Sequence, residues 1–410
     1  MYLTSEEEKA LDGEFGTAVQ TAMKILVTIG DIFEADRLIP VSSVHMPGSS
    51  VVVSGRAGAK FVRRMADEGG LFRVLTTLNP AATDLEMWRE MGVPEEVYRE
   101  QLELTEAYRR MGAVDVHTCI PYLAGNTPAY GSDVAWGESS AVVYANSILG
   151  ARTNREGGPS ALASAIAGKT PRYGMHSEEN RVPTVRVRVE AGVEGVEAYG
   201  SLGYYVGGVA EDGVPFIEGL PRGVWIDELK MLSAALATSG AVPMFHAPGI
   251  TPEASLKVVR EAVEGLEVVE VGHGELREVR EKLCTADAGD ISAVCVGCPH
   301  ASVSEVLSVL RTLGNRKANL TFWMFTSTHV KHVLKRMGIL KRLSSLGVQV
   351  LCDTCPILAP MKDVSESLGM DAVATNSAKL AHYLNSKYGI KTFYGNLEQC
   401  VEAAVSGGRG

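Results

Sequence analysis

Long apolar runs are missing from this 410-residue chain. No stretch approaches the roughly 18 consecutive apolar residues from which a membrane-spanning helix is built. The first residues are polar and acidic, whereas a secretory signal needs a basic segment followed by an apolar one. We therefore expect a cytoplasmic protein without a membrane segment.

Basic residues are also scarce, because 39 Lys and Arg stand against 49 Asp and Glu, for a formal net charge of −10. No run of five or more Lys or Arg occurs. This balance disfavours wholesale binding to nucleic-acid phosphates or anionic lipids, and leaves room only for a locally basic pocket. We expect neither nucleic acid nor a membrane as a partner.

Seven cysteines are too few, and odd in number, for a disulfide scaffold. Nine histidines form no HxH or HExxH pattern, and neither a phosphate-binding P-loop nor a GxGxxG turn between strand and helix occurs. These absences disfavour nucleotide-driven chemistry and hydride transfer. In a reducing compartment, burial, metal binding or catalysis remain as uses for the cysteines.

The chain is 46% hydrophobic, which excludes disorder, and its length predicts two or three domains at about 150 residues each. We expect an N-terminal α/β region over 1–182, a mixed linking or inserted subdomain over 183–241, and a C-terminal parallel α/β region over 242–410. The β-branched run at 51–53 is typical of a strand that follows a loop at 45–50. Residues 243–246 also read as a strand.

The last third shows the clearest pattern. Apolar strand candidates at 293–296, 320–325, 348–351, 372–374 and 391–394 alternate with amphipathic helices at 302–313, 329–343 and 377–388. Such alternation predicts an α/β fold with a parallel sheet flanked by helices. In parallel sheets, ligands bind beyond the carboxyl ends of the strands.

Three cysteines, Cys119, Cys298 and Cys355, are predicted at such strand ends. Proline follows Cys298 and Cys355 directly and Cys119 one residue later. Proline after a metal-binding cysteine bends the chain away from the ligand, as in iron–sulfur motifs that end in Cys-Pro. Three thiolates would leave one iron of a cubane [4Fe–4S] cluster open, and an open position makes a metal site catalytic.

A zinc site is the alternative. Cys295, Cys298, Cys352 and Cys355 form a CxxC…CxxC set, which is typical of tetrahedral zinc. Cys295 and Cys352 fall in apolar strand sequences, however, where alternation points them away from the following loop. We interpret both as packed thiols, and the zinc reading stays open.

Three short segments are candidates for binding a substrate. Backbone N–H groups and hydroxyls at Gly48, Ser49 and Ser50 suit a carboxylate or a phosphate, although an ordinary turn has the same sequence. Asn79 and Pro80 end another strand. Thr375, Asn376 and Ser377 lie between a strand and a helix, with Lys379 nearby, where either an anion cradle or a routine N-cap is expected.

Several motifs resemble those of one family, aconitase X, in its short archaeal form. They are LTSEE at 3–7, HMPGSS at 45–50, TLNP at 77–80, CIPY at 119–122, GESSA at 137–141 with NS at 146–147, GCPH at 297–300 and CP at 355–356. The resemblance runs nearly end to end. It implies an aconitase-like multi-domain core, and a [4Fe–4S] cluster on Cys119, Cys298 and Cys355 with one open iron.

The same resemblance implies a hydro-lyase. Archaeal members dehydrate (R)-5-phosphomevalonate to trans-anhydromevalonate 5-phosphate in a modified mevalonate pathway of isoprenoid synthesis, and other members dehydrate cis-3-hydroxy-L-proline. By this likeness Gly48, Ser49, Ser50, Asn79 and Pro80 line the pocket for a small phosphorylated hydroxy acid. A non-enzymatic, zinc-stabilised assembly subunit is the remaining alternative.

A partner is implied as well. Relatives that act on hydroxyproline often carry a small swivelling domain in the same chain, and this sequence stops at Gly410 after its last sheet elements. We therefore expect a separate small subunit that closes the site, forms a heterodimer or a larger assembly, and brings the general base. No catalytic base is assigned within this chain.

Overall fold

A computed structural model describes residues 1–407. Its strands are β1 Leu38–Pro40, β2 Ser43–Met46, β3 Leu75–Leu78, β4 Val114–His117, β5 Ala135–Trp136, β6 Lys169–Pro171, β7 Val185–Val189, β8 Pro215–Glu218, β9 Val268–Val271, β10 Ala293–Ala301, β11 Thr321–Thr326, β12 Val348–Leu351, β13 Ala372–Thr375 and β14 Lys391–Tyr394.

The helices of the N-terminal half are α1 Ser5–Asp12, α2 Thr17–Ile32, α3 Val51–Asp67, α4 Glu95–Arg110, α5 Ser139–Tyr144, α6 Gly158–Ala167, α7 Gly195–Ala210 and α8 Ile226–Ser239. Those of the C-terminal half are α9 Lys257–Val263, α10 His273–Leu283, α11 Val303–Leu313, α12 Thr328–Arg336, α13 Ile339–Ser345, α14 Met361–Leu368, α15 Ala378–Tyr383 and α16 Leu397–Ser406.

Three parallel sheets organise these elements. The first has the order β4-β3-β2-β5, the second β8-β7-β9, and the third β12-β11-β10-β13-β14. A short antiparallel pair, β1 with β6, joins two segments of the N-terminal region. Because the second sheet spans residues 185–271, it draws strands from both sides of position 241; the domain boundaries expected from the sequence stay a prediction.

Strand alternation explains why the third sheet is covered on both faces. On β11, Phe322 and Met324 pack into one core, whereas Trp323 and Phe325 pack into the core on the opposite face. Successive side chains of a strand point to opposite faces, so a strand that is apolar throughout must be buried on both. Helices α11, α12, α13 and α16 contribute to the first core, and α14 and α15 to the second.

Two strand predictions are wrong. The β-branched residues Val51 and Val52 begin helix α3, and the strand lies earlier, at β2, where a loop was expected. The backbone of Gly55 is not helical and interrupts α3. Beyond it, Ala59, Val62 and Met65 place a buried stripe at helical spacing, and Val51 joins the same core from the first turn, so burial overrides β propensity.

The predicted strand at 243–246 is also not formed. Only an isolated bridge between Phe216 and His246 occurs there. Pro243 has no N–H to donate to a ladder, so the segment runs beside β8 with a single pair of bonds, from Ile217 N to His246 O at 2.7 Å and from His246 N to Pro215 O at 2.9 Å.

Within the described residues, no helix is long and apolar enough to cross a membrane.

Gly297 in β10 yields a prediction about stability. Its φ is +92°, and a Cβ atom there would overlap the carbonyl oxygen of Phe325 on β11. We expect Gly297→Ala to lower the free energy of unfolding of the apoprotein by at least about 2 kcal/mol, because it adds both strain and overlap. A urea titration measures this loss.

Gly274→Ala is the matched control. Gly274 lies in helix α10, has no positive φ, and leaves its Cβ position open. We expect this change to be neutral or to stabilise by up to about 1 kcal/mol. Equal destabilisation by the two variants would contradict the packing account of Gly297.

Candidate functional site

The carboxyl ends of the first and third sheets meet. Ala81, which follows β3, pairs with Thr354, which follows β12. Ala81 N donates to the Asp353 carbonyl at 2.6 Å, and the Thr354 hydroxyl donates to the Ala81 carbonyl at 2.8 Å. The loops beyond both sheets therefore face each other across one crevice.

Three predicted cysteines come together at this junction. Cys119 lies two residues beyond β4, Cys298 lies in the irregular part of β10, and Cys355 lies four residues beyond β12. All three thiols are buried. Burial raises the pKa of Cys298 and of Cys355 to about 12, and each of the three thiols adds to the rise at a neighbour.

Those raised pKa values constrain what the site can hold. Three neighbouring thiolates in a dry environment need a strong positive charge, since burial and mutual repulsion both favour the protonated form. A bound metal group supplies that charge and deprotonates its thiol ligands. The chemistry and burial of these three donors therefore fit a metal centre.

The spacing of donors does not fit one zinc ion. Thiolates bound tetrahedrally at about 2.3 Å from zinc lie about 3.8 Å from one another. Within residues 1–407, only Asp84, Cys352 and Asp353 form a group of three ligand atoms all within 4.8 Å. The two CxxC pairs are therefore not arranged around a single ion.

Cys295 and Cys352 differ in their surroundings. Cys295 lies inside strand β10, in the core on one face of the third sheet that also includes Cys298 and Cys355. Cys352 lies one residue beyond β12 and not inside it, which corrects the prediction for this residue. Its Sγ atom lies 3.5 Å from the Lys331 ammonium, which also lies 3.6 Å from Asp84. The Lys331 ammonium therefore supplies the positive charge that Asp84 and Cys352 need, in the place of a metal ion.

His300 connects the three cysteine loops. Its backbone N–H donates to Cys119 Sγ at 3.2 Å. Its Nε2 atom lies 2.8 Å from the Thr354 carbonyl, which can only accept, so Nε2 carries the proton. Its Nδ1 atom then accepts from the Thr118 hydroxyl at 3.1 Å. Burial lowers the pKa of His300 to about 4, so the ring is neutral at pH 7.

A buried ion pair, Glu138 with Lys379, lies beside the thiols. The Lys379 ammonium donates to Glu138 Oε1 at 2.6 Å and to the Ser139 hydroxyl at 3.2 Å. Burial raises the pKa of Glu138, but Lys379 and Ser140 outweigh burial and bring it to about 2. Burial lowers the pKa of Lys379, while Glu138 and Cys298 raise it by more. Both groups are therefore charged at pH 7.

Asn79 joins this pair from the first sheet. Its Nδ2 atom donates to Glu138 Oε2 at 3.2 Å, while its buried Oδ1 atom has no partner among the described residues. Asn79, Glu138 and Lys379 thus bring an amide, a carboxylate and an ammonium to the thiols. A buried acceptor without a partner is costly, and a bound donor would satisfy it.

The predicted loop at Gly48, Ser49 and Ser50 borders the same crevice. The Ser49 hydroxyl donates to the Asn79 carbonyl, and the Ser50 hydroxyl donates to the Leu358 carbonyl at 2.8 Å. Both hydroxyl protons are therefore engaged within the fold. Gly48 has a φ of +73°, and its Cβ position lies 4.0 Å from Gly158 Cα, so the loop is open there.

The segment Thr375, Asn376 and Ser377 reaches the thiols through Ser377, which contacts Cys298. Ser377 caps α15 by accepting from Leu380 N, and its hydroxyl contact lowers the pKa of Cys298 against the larger effect of burial. Thr375 accepts from Ser377 N at 3.2 Å. Asn376 Oδ1 is buried without a partner within residues 1–407. Ser377 is thus an N-cap that also contacts a cysteine.

Two features of this region were not predicted from the sequence, which named Lys379 only as a neighbour of the segment 375–377. The Glu138–Lys379 pair joins residues 241 positions apart, and neither residue type is unusual in its own motif. His45 was assigned to a loop, but it lies inside strand β2. Its Nδ1 atom forms a hydrogen bond with the Thr77 hydroxyl at 2.9 Å, and burial lowers its pKa to about 4. Its Nε2 atom has no partner within the described chain. Polar residues inside buried strands were the available signal.

Family models match most of the chain in three parts. The models described as the first, second and third domains of aconitase X match residues 1–179, 183–281 and 291–406.

Relatives align over almost the full length. A phosphomevalonate dehydratase large subunit of Methanothermobacter thermautotrophicus is 44% identical, over 96% of both chains. The protein of that name in Methanocaldococcus jannaschii is 42% identical, over 98% of this chain and 100% of its own. The cis-3-hydroxy-L-proline dehydratase of Pseudomonas aeruginosa is 34% identical, over 99% of this chain and 70% of its own.

A solved structure agrees with the model. The holo-form of Thermococcus kodakaraensis aconitase X has a TM-score of 0.90 at 40% identity, covering 98% of this chain and 100% of that one. The predicted α/β fold, with parallel sheets flanked by helices, is therefore confirmed. The family predicted from the motifs is confirmed too: the chain belongs to the aconitase X family, whose named relatives are dehydratases.

Proposed function

We propose that this chain is the large subunit of an iron–sulfur hydro-lyase that converts (R)-5-phosphomevalonate to trans-anhydromevalonate 5-phosphate and water. One observation carries the proposal: three buried thiols from three loops converge beside a buried Glu138–Lys379 pair. Relatives named for this activity share 38–44% identity, against 34% for relatives named for hydroxyproline.

Cys119, Cys298 and Cys355 are the residues that would hold a [4Fe–4S] cluster with one open iron. Three donors suit a cluster that keeps one iron free of protein thiolate, and their spacing is wider than a single ion allows. When bound, the cluster supplies a Lewis acid for removal of the substrate hydroxyl. The solved relative is described as a holo-form, which supports a cofactor in this fold.

The remaining residues bind and orient the substrate. Lys379 presents a buried ammonium that can donate to a carboxylate or phosphate oxygen, and Glu138 holds that ammonium in place and charged. Asn79 offers an unpartnered Oδ1 atom to a substrate hydroxyl. The backbone at Gly48, Ser49 and Ser50 lines the crevice with Pro80, and the segment Thr375, Asn376 and Ser377 closes it beside Cys298.

Dehydration removes a proton from C2 and hydroxide from C3, which leaves a double bond and water. Glu138 is a poor base for this step, because its pairing with Lys379 lowers its pKa to about 2 and so weakens it as a proton acceptor. We propose that the base comes from a separate small subunit, which closes the crevice. The name "large subunit" in the archaeal relatives supports such a partner.

The assay that tests the substrate uses this chain purified anaerobically together with its small subunit. Loss of water from (R)-5-phosphomevalonate is expected, and cis-3-hydroxy-L-proline should turn over at least about 100-fold more slowly, because a phosphate group that is bound and oriented contributes several kcal/mol. If only cis-3-hydroxy-L-proline were dehydrated, the proposed substrate would be wrong, whereas the proposed reaction class, a hydro-lyase, would stand.

Removal of single cysteines tests the ligand set. We expect Cys119→Ser, Cys298→Ser and Cys355→Ser each to lose most of the iron and sulfide, and activity to fall at least about 100-fold, because a metal site loses a ligand. Cys295→Ala separates this account from the zinc alternative. It should retain iron and sulfide, whereas a CxxC…CxxC zinc site would lose its metal.

Cys400→Ser is the matched control, since Cys400 is buried in helix α16 in another core. It should keep the full cluster and activity despite a small loss of stability. Unchanged iron, sulfide and turnover in Cys355→Ser would refute the proposed ligands. Iron, sulfide and zinc analysis on each variant provides the measurement.

Lys379 provides a prediction for binding. Lys379→Met should lower kcat/KM by at least about 100-fold while iron and sulfide stay near wild-type levels, because the ammonium that faces the substrate is lost. The single variant leaves Glu138 buried and unpaired, so the double variant Lys379→Met with Glu138→Gln restores charge balance. It should be as inactive as the single variant.

Lys362→Met serves as the control, because Lys362 is exposed on helix α14. Its steady-state kinetics should match wild type. If Lys379→Met turned over substrate normally with a full cluster, Lys379 would have no role in binding.

A further inference from the structure

Lys230 on helix α8 is a buried cation that the proposed chemistry does not use. Its side chain is completely shielded from solvent, at 0% exposure. Lysine is among the residues least often buried, since an ammonium loses its hydration and side-chain freedom. A lysine in this position therefore needs partners that compensate, and its partners show what it positions.

Two carboxylates and one carbonyl surround the Lys230 ammonium. It donates to Glu305 at the start of helix α11 and to the His300 carbonyl oxygen at 3.0 Å, and Asp227 Oδ1 lies 3.6 Å away. Burial lowers the pKa of Lys230, but Glu305 and Asp227 raise it by more, so the ammonium stays charged. Both carboxylates also accept hydrogen bonds from Ser302. Glu305 accepts from the Ser302 N–H at 2.8 Å, and Asp227 accepts from the Ser302 hydroxyl at 3.0 Å.

His300 connects Lys230 to the cysteine loops through hydrogen bonds of its backbone and its ring. Its carbonyl accepts from Lys230, and its N–H donates to Cys119 Sγ at 3.2 Å. The neutral ring joins Thr118 to Thr354, which are the residues immediately before Cys119 and Cys355. His300 itself lies two positions after Cys298. Fixing the backbone of this one residue therefore fixes all three cysteine loops.

Cys119 lies close enough to Lys230 to raise the pKa of its ammonium, although by less than Glu305 and Asp227 do. A fixed cation and an N–H donor at one sulfur both favour the anionic form of that sulfur. Around an iron–sulfur cluster, net charge and hydrogen bonds to the sulfurs set the reduction potential.

We propose that Lys230 is a positioning residue, which holds the His300 backbone against Cys119 and supplies a buried positive charge to the cluster site. This inference rests on the proposed function, because it assumes the cluster at Cys119, Cys298 and Cys355. It adds a role for a residue outside the crevice, acting through His300.

The test compares Lys230→Met with Arg181→Met in the anaerobically purified complex with the small subunit. Arg181 is 2% exposed and pairs with Glu253 at 2.8 and 2.9 Å, and none of its partners belongs to a cysteine loop. Both variants remove one buried cation from a carboxylate. Both should therefore lower the melting temperature of the apoprotein by a similar amount.

Only Lys230→Met should change the cluster. We expect its reduction potential to be more negative than that of wild type, and loss of iron to a chelator to be at least about tenfold faster, because a residue supporting a ligand is lost. Arg181→Met should show the wild-type potential and rate. If Lys230→Met folds poorly, Lys230→Met with Glu305→Gln removes the unpaired carboxylate. This double variant leaves the net charge of the site unchanged, so we expect the same faster loss of iron but a smaller shift of the reduction potential.

The outcomes separate the two proposals. This inference alone would be overturned if the wild-type complex contained iron and sulfide, while both Lys230 variants kept the wild-type reduction potential and the wild-type rate of iron loss. A shift of equal size in Arg181→Met would also overturn it, since the effect would then be one of general stability. Wild-type complex without iron and sulfide would overturn both this inference and the proposed function.

Discussion

The end-to-end contact of two parallel sheets is the constraint on which the site depends. Ala81 N donates to the Asp353 carbonyl and the Thr354 hydroxyl donates to the Ala81 carbonyl, so the loops beyond β3 and β12 cannot separate without losing buried bonds. Loops at the carboxyl ends of parallel strands converge, and here two such sets converge on each other. Cys119 from one sheet and Cys298 and Cys355 from the other become neighbours for this reason.

Electrostatics explains why the crevice has an ion pair at its base. Each buried thiol has a raised pKa, so the apoprotein holds these groups protonated. Glu138 and Lys379 are both charged in the same dry region, and a buried ion pair rarely stabilises a fold more than apolar residues of similar size. Perturbed, paired groups in a cleft are typical of functional sites. We therefore interpret this pair as retained for chemistry.

Much of the fold follows from local patterns in the sequence. Strands β10 to β14 were predicted because buried parallel strands are short and apolar throughout. Of the helices between them, α11 and α15 were predicted, α12 and α13 were predicted as one helix, and α14 was not predicted. The pattern of strands placed the three cysteines near strand ends, and the prolines that follow them indicated metal ligands. The start of α3 was missed, because Val51 and its neighbours favour a strand locally while the buried stripe of the whole segment favours a helix.

Contacts between distant positions could not be predicted this way. Lys379 and Glu138, or His300 and Thr118, meet only because the two sheets abut, and no spacing rule connects residues 241 or 182 positions apart. The hydrogen bond from Lys230 to the His300 carbonyl likewise joins residues that are distant in the sequence. The family resemblance supplied the chemistry, and the structure supplied the partners of each group.

Mössbauer spectroscopy of the ⁵⁷Fe-labelled complex, with and without (R)-5-phosphomevalonate, tests the central claim most directly. The account predicts about four irons per chain, of which about one changes its signal when substrate is added, since three are held by Cys119, Cys298 and Cys355. Absence of iron would contradict the account, and so would four irons whose Mössbauer signals are all unchanged by substrate.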